Sequence, residues 1–262
     1  MRPDPAESSA TGTADFRLAV FSHIDPHEMA TLLHDVIGIL PLDGVLAAKE
    51  TPGLIGRPMT RGQADELVRR LHEDGISAYA ISANSLPSLA NATLLHHVQL
   101  SDAGLTVLDL YGEVEEMIPW SAIGVIAIGQ FPAESSLHAI DETRPSVLSA
   151  APLPTAWTTD AGHRNALELW LLARMSDRLY CIRHDRFNYD SLGDEMTDSA
   201  TVNFDHFVRR VIPFALHATQ TPSTHAYLAK SLVGYSFPDQ AALERQSVLH
   251  WIMRRAAENP ES

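Results

Sequence analysis

The stretch "PMTRGQADELVRRLHEDGISAYAI" (residues 58–81) decides how the first third of the chain is read. Thr60 and Gln63 have the spacing of a capping box, in which each side chain serves the other residue's backbone amide. Ala64, Leu67, Val68 and Leu71 follow as an apolar stripe at helical spacing, and Gly75 stops the helix. "ISAYAI" (residues 76–81) then sets Ile76, Ala78 and Ala80 against Ser77, Tyr79 and Ile81, the alternation of a strand. With Leu67 and Leu71 facing a core, the polar side of the helix carries Arg61, Asp65, Arg69 and His72. These four are candidate contacts for a partner.

Upstream, "FRLAVF" (residues 16–21) reads as a buried strand. Asp25 caps a helix that has Pro26 at its first position and Glu28 in place for a capping box. Met29, Leu32, Leu33, Val36 and Ile37 give its stripe. Leu42, Val45 and Leu46 suggest a second short helix ending near Pro52. The order across residues 15–86 is strand, helix, helix, helix, strand. On "HEMATLLHDVIGILPLDGVLAAKETPGLIGRPMTRGQADELVRRLHEDGISAYAI" (residues 27–81) this order resembles the C-terminal domain of the bacterial ribosomal stalk protein and its structural cousin, the Clp-protease adaptor. The resemblance implies a small α/β sandwich and a habit of binding proteins. It implies no ribosomal role: stalk domains present basic residues on their first helices to translation GTPases, and this first helix carries His27, Glu28, His34 and Asp35.

Past Pro87 the pattern changes to period two. "HHVQLS", "LTVLDL", "EEMIPW" and "GVIAIGQF" read as strands, with a hairpin turn over residues 101–104. Residues 132–163, rich in Pro, Ser, Ala and Thr, read as an exposed loop. "ALELWLLARM" and "RLYCIRHD" are two further strands joined at Ser176 and Asp177. A helix from about Asn203 sets Phe204, Phe207, Val208, Val211 and Ile212 on one stripe, and Pro213 kinks or ends it. Several antiparallel strands closed by a helix, with "MIPWSAIGVIAIG" (residues 117–129), resemble a bacterial pleckstrin-homology-like domain over residues 90–218. Inositol-phosphate-binding members use basic residues near the first hairpin. Asp102 stands there instead, so the resemblance implies the fold and not the lipid. The whole layout, with "DRFNYDSLG" and "NFDHF", is similar to two-domain proteins of high-GC bacteria; 17 of the 19 basic residues are arginine, which fits such a genome. The last segment, residues 219–262, reads as a helical extension. Its long helix carries a stripe of Leu249, Ile252, Met253 and Ala256, and Trp251, Arg254 and Arg255 lie close by; Trp251 and Arg254 are further candidate partner contacts.

The expected fold class is therefore α+β: a stalk-like α/β sandwich, an antiparallel pleckstrin-homology-like barrel capped by a helix, and a C-terminal helical extension. A chain of 262 residues is long enough for two such cores. "MRPDPAESSATGTAD" has no apolar stretch behind its arginine, so it reads as a mobile tail over residues 1–14 rather than a signal peptide. No run of 18 apolar residues is present, so insertion in a membrane is not expected. The one cysteine, Cys181, has no intrachain disulfide partner, which fits a reducing cytoplasm.

The chemistry-bearing residues do not assemble into a motif. The 13 histidines show no metal-ligand spacing: His23 and His27 flank Asp25, and His96 and His97 face opposite ways on a strand. Cys181 sits mid-strand, where a thiol is inert unless a base and cations activate it; Arg178, Arg183 and His184 are its sequence neighbours. "GYSFP" (residues 234–238) lacks the last glycine of a nucleophile elbow, and no glycine-rich phosphate loop occurs. Glu113, Glu115 and Glu116 read as a solvated hairpin, and Trp120 and Trp170 as core. The expectation is a non-enzymatic adaptor or scaffold that binds a protein partner and needs no cofactor or metal. The alternative is a metal-dependent or small-molecule enzyme built on His184 and Asp185, with Tyr189.

Charge excludes two further classes of partner. The net charge of −14 divides as −5 over residues 1–87 (7 basic, 12 acidic), −8 over 88–162 (1 and 9) and −1 over 163–262 (11 and 12). No lysine or arginine lies between Arg70 and Arg144. A surface without cations releases no counterions from a phosphate backbone and gains nothing from anionic headgroups. At about 0.1 M salt, where the Debye length is about 10 Å, the protein is expected to ignore nucleic acid and anionic vesicles. Co-sedimentation with such vesicles that depends on residues 95–131 would contradict this reading.

Overall fold

Helix caps and strand alternation build two compact units, residues up to 86 and residues 87–258. The structure is a computed structural model and describes residues 15–49, 51–109, 111–133 and 165–258. The expected tail over residues 1–14 and loop residues 134–163 lie outside the described residues.

In unit 1, β1 (Phe16–Val20) is the centre of a three-stranded sheet. It pairs antiparallel with β2 (Gly53–Met59) on one side and β3 (Ala78–Ser82) on the other. Helix α1 (Pro26–Ile37) begins where the Asp25 carboxylate accepts the His27 and Glu28 amides at 2.8 and 3.2 Å. The expected return bond from the Glu28 side chain does not form among the described residues. Helix α3 (Arg61–Glu73) has the full reciprocal cap: the Thr60 amide donates to Gln63 Oε1 at 2.9 Å and the Gln63 amide to Thr60 Oγ1 at 3.3 Å. Leu18, Val20, Met29, Leu33, Ile55, Met59, Leu67 and Leu71 form the core between helices and sheet.

Two findings differ from the expected order. The expected order has no strand between the second and third helices, and β2 forms there. Its Gly53, Gly56 and Pro58 break the alternation, and it lies at a sheet edge, where such residues are tolerated. Helix α2 (Pro41–Ala48) forms as expected, but it buries Gly44, Ala47 and Ala48 rather than its leucines. A Cβ on Gly44 would stand 2.8 Å from Ala30 Cα, so α1 and α2 touch through their smallest residues. Leu42 and Leu46 consequently point outward.

Unit 2 holds two separate sheets, where a closed antiparallel barrel was expected. One is a meander of β5 (Val98–Leu100), β6 (Gly104–Leu108) and β7 (Val114–Pro119). A 3-10 turn over Trp120–Ala122 ends it and leads into the second sheet. That sheet is built on β8 (Ile123–Pro132), β9 (Asn165–Ala173) and β10 (Leu179–Arg183). Two-residue strands, β4 (Thr93–Leu94) beside β10 and β11 (Thr219–Gln220) beside β8, finish its edges in parallel pairing and do not join the meander. Helix α4 (Ala200–Phe214) ends one residue after Pro213. It contributes Phe204, Phe207, Val208 and Val211 to a core shared by both sheets.

Residues 219–258 belong to unit 2 and are not an appendage to it. Helices α5 (Pro222–Leu228) and α6 (Leu232–Tyr235) place Tyr227 and Tyr235 in the shared core. Helix α7 (Gln240–Glu258) lies on the β8 side of the second sheet's other face. Its buried residues are Gln240, Leu243, Ser247, Val248, Trp251 and Ile252, so its phase differs from the expected stripe and Met253 is exposed.

Two substitutions test the capped helix. Thr60→Ala is expected to cost about 1 kcal/mol, and Leu67→Ala, at a fully buried position, about 2–5 kcal/mol. Urea unfolding monitored by circular dichroism measures both. A harmless Leu67→Ala would mean the helix phase is wrong.

Candidate functional site

The α3 surface carries the four expected residues, all exposed but internally engaged. Arg61 pairs with Asp65 at 3.5 Å. Arg69 bridges Glu66 and Glu73, and Glu66 also receives Arg70 at 2.7 Å. His72 Nε2 lies 3.1 Å from the Ala78 carbonyl oxygen. A partner arriving here would have to break ion pairs already made on the helix, so the face offers few unpaired charges.

Of the two candidates on α7, Trp251 is buried, and its indole N–H donates to the Ala173 carbonyl at 2.6 Å. The Arg254 guanidinium donates to the His217 carbonyl and to Thr219 Oγ1. Both side chains hold α7 to its own unit and are corrected from partner contacts to packing residues.

The surface that the sequence pattern missed is apolar. Leu40, Leu42 and Leu46 are 69%, 72% and 53% exposed. Leu42 and Leu46 are four apart and share one side of α2, and Leu40 is its N-cap. The spacing of Leu42, Val45 and Leu46 marks the helix without showing which side is buried, and Leu40 falls outside that spacing. The signal that could have shown the buried side is the small-residue set Gly44, Ala47 and Ala48 on the opposite side.

In unit 2, His184, Asp185 and Tyr189 are neighbours in sequence, but their functional groups do not converge. The Asp185 carboxylate accepts from Arg183 Nε and Nη2 at 3.3 and 3.2 Å. The Tyr189 hydroxyl donates to the His184 carbonyl, not to its ring, and burial pushes its pKa well above the usual phenol value. The His184 ring Nδ1 accepts the Leu167 amide at 3.3 Å, which leaves Nε2 as the protonated nitrogen of the neutral ring. His184 opens onto a cleft of about 810 Å³, lined also by Asn165, Asp205, His206, Tyr227 and Tyr235. Among the described residues, no group of three or more His, Cys, Asp or Glu side chains converges as a metal set.

Cys181 is fully buried. Its thiol donates to Glu168 Oε2 at 3.4 Å, and burial first, then the Glu168 charge, pushes its pKa far up. That environment disfavours a thiolate nucleophile. Glu168 Oε2 also accepts Trp170 Nε1 at 2.8 Å and Gln240 Nε2 at 2.9 Å. Arg183 stands opposite Glu168 across the β9–β10 pair. Among the described residues, Glu168 Oε1 and Arg183 Nη1 make no hydrogen bond. This buried network is a structural feature that the sequence reading missed.

Comparison with protein families, curated proteins and solved structures finds no match for this chain. Among the described residues, no helix is long and apolar enough to cross a membrane.

The α3 ion pairs give a pH signature. Hydrogen bonds from Arg69, then Arg70, hold the Glu66 carboxyl at about 2, below its ordinary value. A depressed folded pKa contributes stability above the unfolded value near 4.5 and loses it as pH falls toward about 2. The group is exposed, so solvent and salt screen the effect. Arg69→Gln should lower the thermal midpoint slightly at pH 6, and the gap from wild type should close toward pH 2 and in high salt. A gap that widens in acid would contradict the pairing.

Proposed function

We propose that this chain is a non-enzymatic adaptor that meets another protein through the α2 face of unit 1. The observation that carries the reading is the triplet Leu40, Leu42 and Leu46, exposed together at the start and along one side of α2. Exposed leucines grouped on one short helix are apolar surface of the kind that marks contact sites. The helices packed on a three-stranded antiparallel sheet support the likeness to the stalk-protein and Clp-adaptor domains. The α4-capped pair of sheets supports a pleckstrin-homology-like reading of unit 2. A cytoplasmic setting fits the single buried thiol.

The contact is tested by placing a photo-crosslinking benzoylphenylalanine at position 42 or 46, with position 65 on α3 as control. Adducts to one distinct protein are expected from 42 and 46 and not from 65. Leu42→Ser should change stability by less than about 0.5 kcal/mol, as at an ordinary surface site, while weakening the adduct-forming association. Adducts only at 65, or none at all, would remove the α2 face from the reading.

A further inference from the structure

The cleft beside His184 has a chemistry that neither the partner surface nor the sequence motifs use. Its bases are Lys230, His184 and His206, and its one acid is Asp205. Asp205 is already paired: Arg209 Nε donates to Oδ2 at 2.9 Å. Lys230 makes no ion pair or hydrogen bond through its ammonium among the described residues. Among the described residues lining the cleft, the Lys230 ammonium is therefore the charge left unpaired.

The backbone at Lys230 adds a second, independent observation. Lys230 follows the end of α5 with φ of 57°, the one positive φ outside glycine among the described residues. The Ser231 amide donates to the Ala226 carbonyl at 2.8 Å and the Lys230 amide to the Tyr227 carbonyl at 2.9 Å. That pair of bonds closes a helix through a left-handed residue, a position that strongly favours glycine. A side chain with a Cβ is held there at a cost in backbone energy, and strain of this kind clusters at ligand sites. The residue is also one of only two lysines against 17 arginines. A lysine ammonium is a compact charge on a flexible stem and suits a single anionic group.

The rest of the cleft suits an apolar body. The Tyr227 and Tyr235 rings meet edge to face at 5.2 Å, and Leu167, Val202 and Leu232 complete the apolar wall. We propose that this cleft binds a small organic carboxylate with an apolar or aromatic body. The Lys230 ammonium and His184 Nε2–H hold the carboxylate; Tyr235, Val202 and Leu232 hold the body. The site lies within unit 2 and is independent of the α2 contact surface.

The test uses the full chain labelled with ¹⁵N, titrated with 3-phenylpropionate and with its uncharged counterpart 3-phenylpropan-1-ol. Saturable shifts at Tyr227, Lys230, Leu232 and Tyr235 are expected from the carboxylate, with a Kd on the order of 1 mM for so small a ligand. The alcohol should bind about tenfold more weakly. Lys230→Gly should weaken carboxylate binding about tenfold while raising the thermal midpoint, because glycine relieves the left-handed backbone. Lys230→Gln keeps the backbone cost and should lose binding without that gain. Absence of saturation, equal binding of the alcohol, shifts centred elsewhere, or full binding by both Lys230 variants would each overturn the proposal.

Discussion

A carboxylate sealed inside a protein must be met by donors, because an uncompensated charge there costs several kcal/mol. Glu168 is such a group, and much of unit 2 is arranged around it. Its row across the sheet reads Gly129, Glu168, Arg183, and the next row on the same face reads Ala127, Trp170, Cys181. The donors therefore arrive from β9 itself, from β10 and from Gln240 at the start of α7. Gly129 leaves the space that Leu243 fills: a Cβ there would stand 2.5 Å from Leu243 Cδ2. One polar contact and one close approach thus fix where α7 begins on the sheet. Trp251, bonded to the Ala173 carbonyl, fixes it further along.

Unit 1 uses the opposite device. An exposed ion pair, Asp43 with Arg57 at 3.5 Å, adds little to α2; its position follows from how closely Gly44 approaches Ala30 on α1. Close backbone approach gains dispersion contacts over a narrow strip, and the larger side chains of the same helix are turned away from it. The apolar face and the tight helix pair are two sides of one packing choice.

The parts legible in the sequence are those governed by neighbours along the chain. Thr60 with Gln63, Asp25 with Pro26, and the hairpin at residues 101–104 are local, and the structure carries each. The stripe of α4 was legible because its inward residues are large and apolar. Strand β2 was not, because only Ile55 and Met59 point inward among two glycines and a proline. The buried sides of helices α2 and α7 were not legible for one reason: they hold small or polar residues, Gly44, Ala47, Gln240 and Ser247, which apolar spacing ignores. The Glu168–Arg183 row left only a lone acid in "ALELWLL" and an arginine after "LYCI", and no local rule pairs two strands. The cleft draws on five separated stretches. Of its lining, only His184 stood out in sequence, because recognising the others requires knowing that α5 and α6 return to the ends of β8 and β9.

The short strands β4 and β11 bear on how unit 2 behaves before it is complete. Their partners lie nearly a hundred residues away: Thr93 meets Tyr180, and Thr219 meets Val125. Until both ends of the unit arrive, β8 and β10 present bare, strongly apolar borders, the kind of template on which chains stack into aggregates. The late-arriving pairs cover those borders with two residues each, too short to recruit a neighbour themselves. A chain cut at residue 218 would lack β11 and leave the β8 border bare, so association through that border is expected of the unfinished sheet, while the finished one carries its own guards.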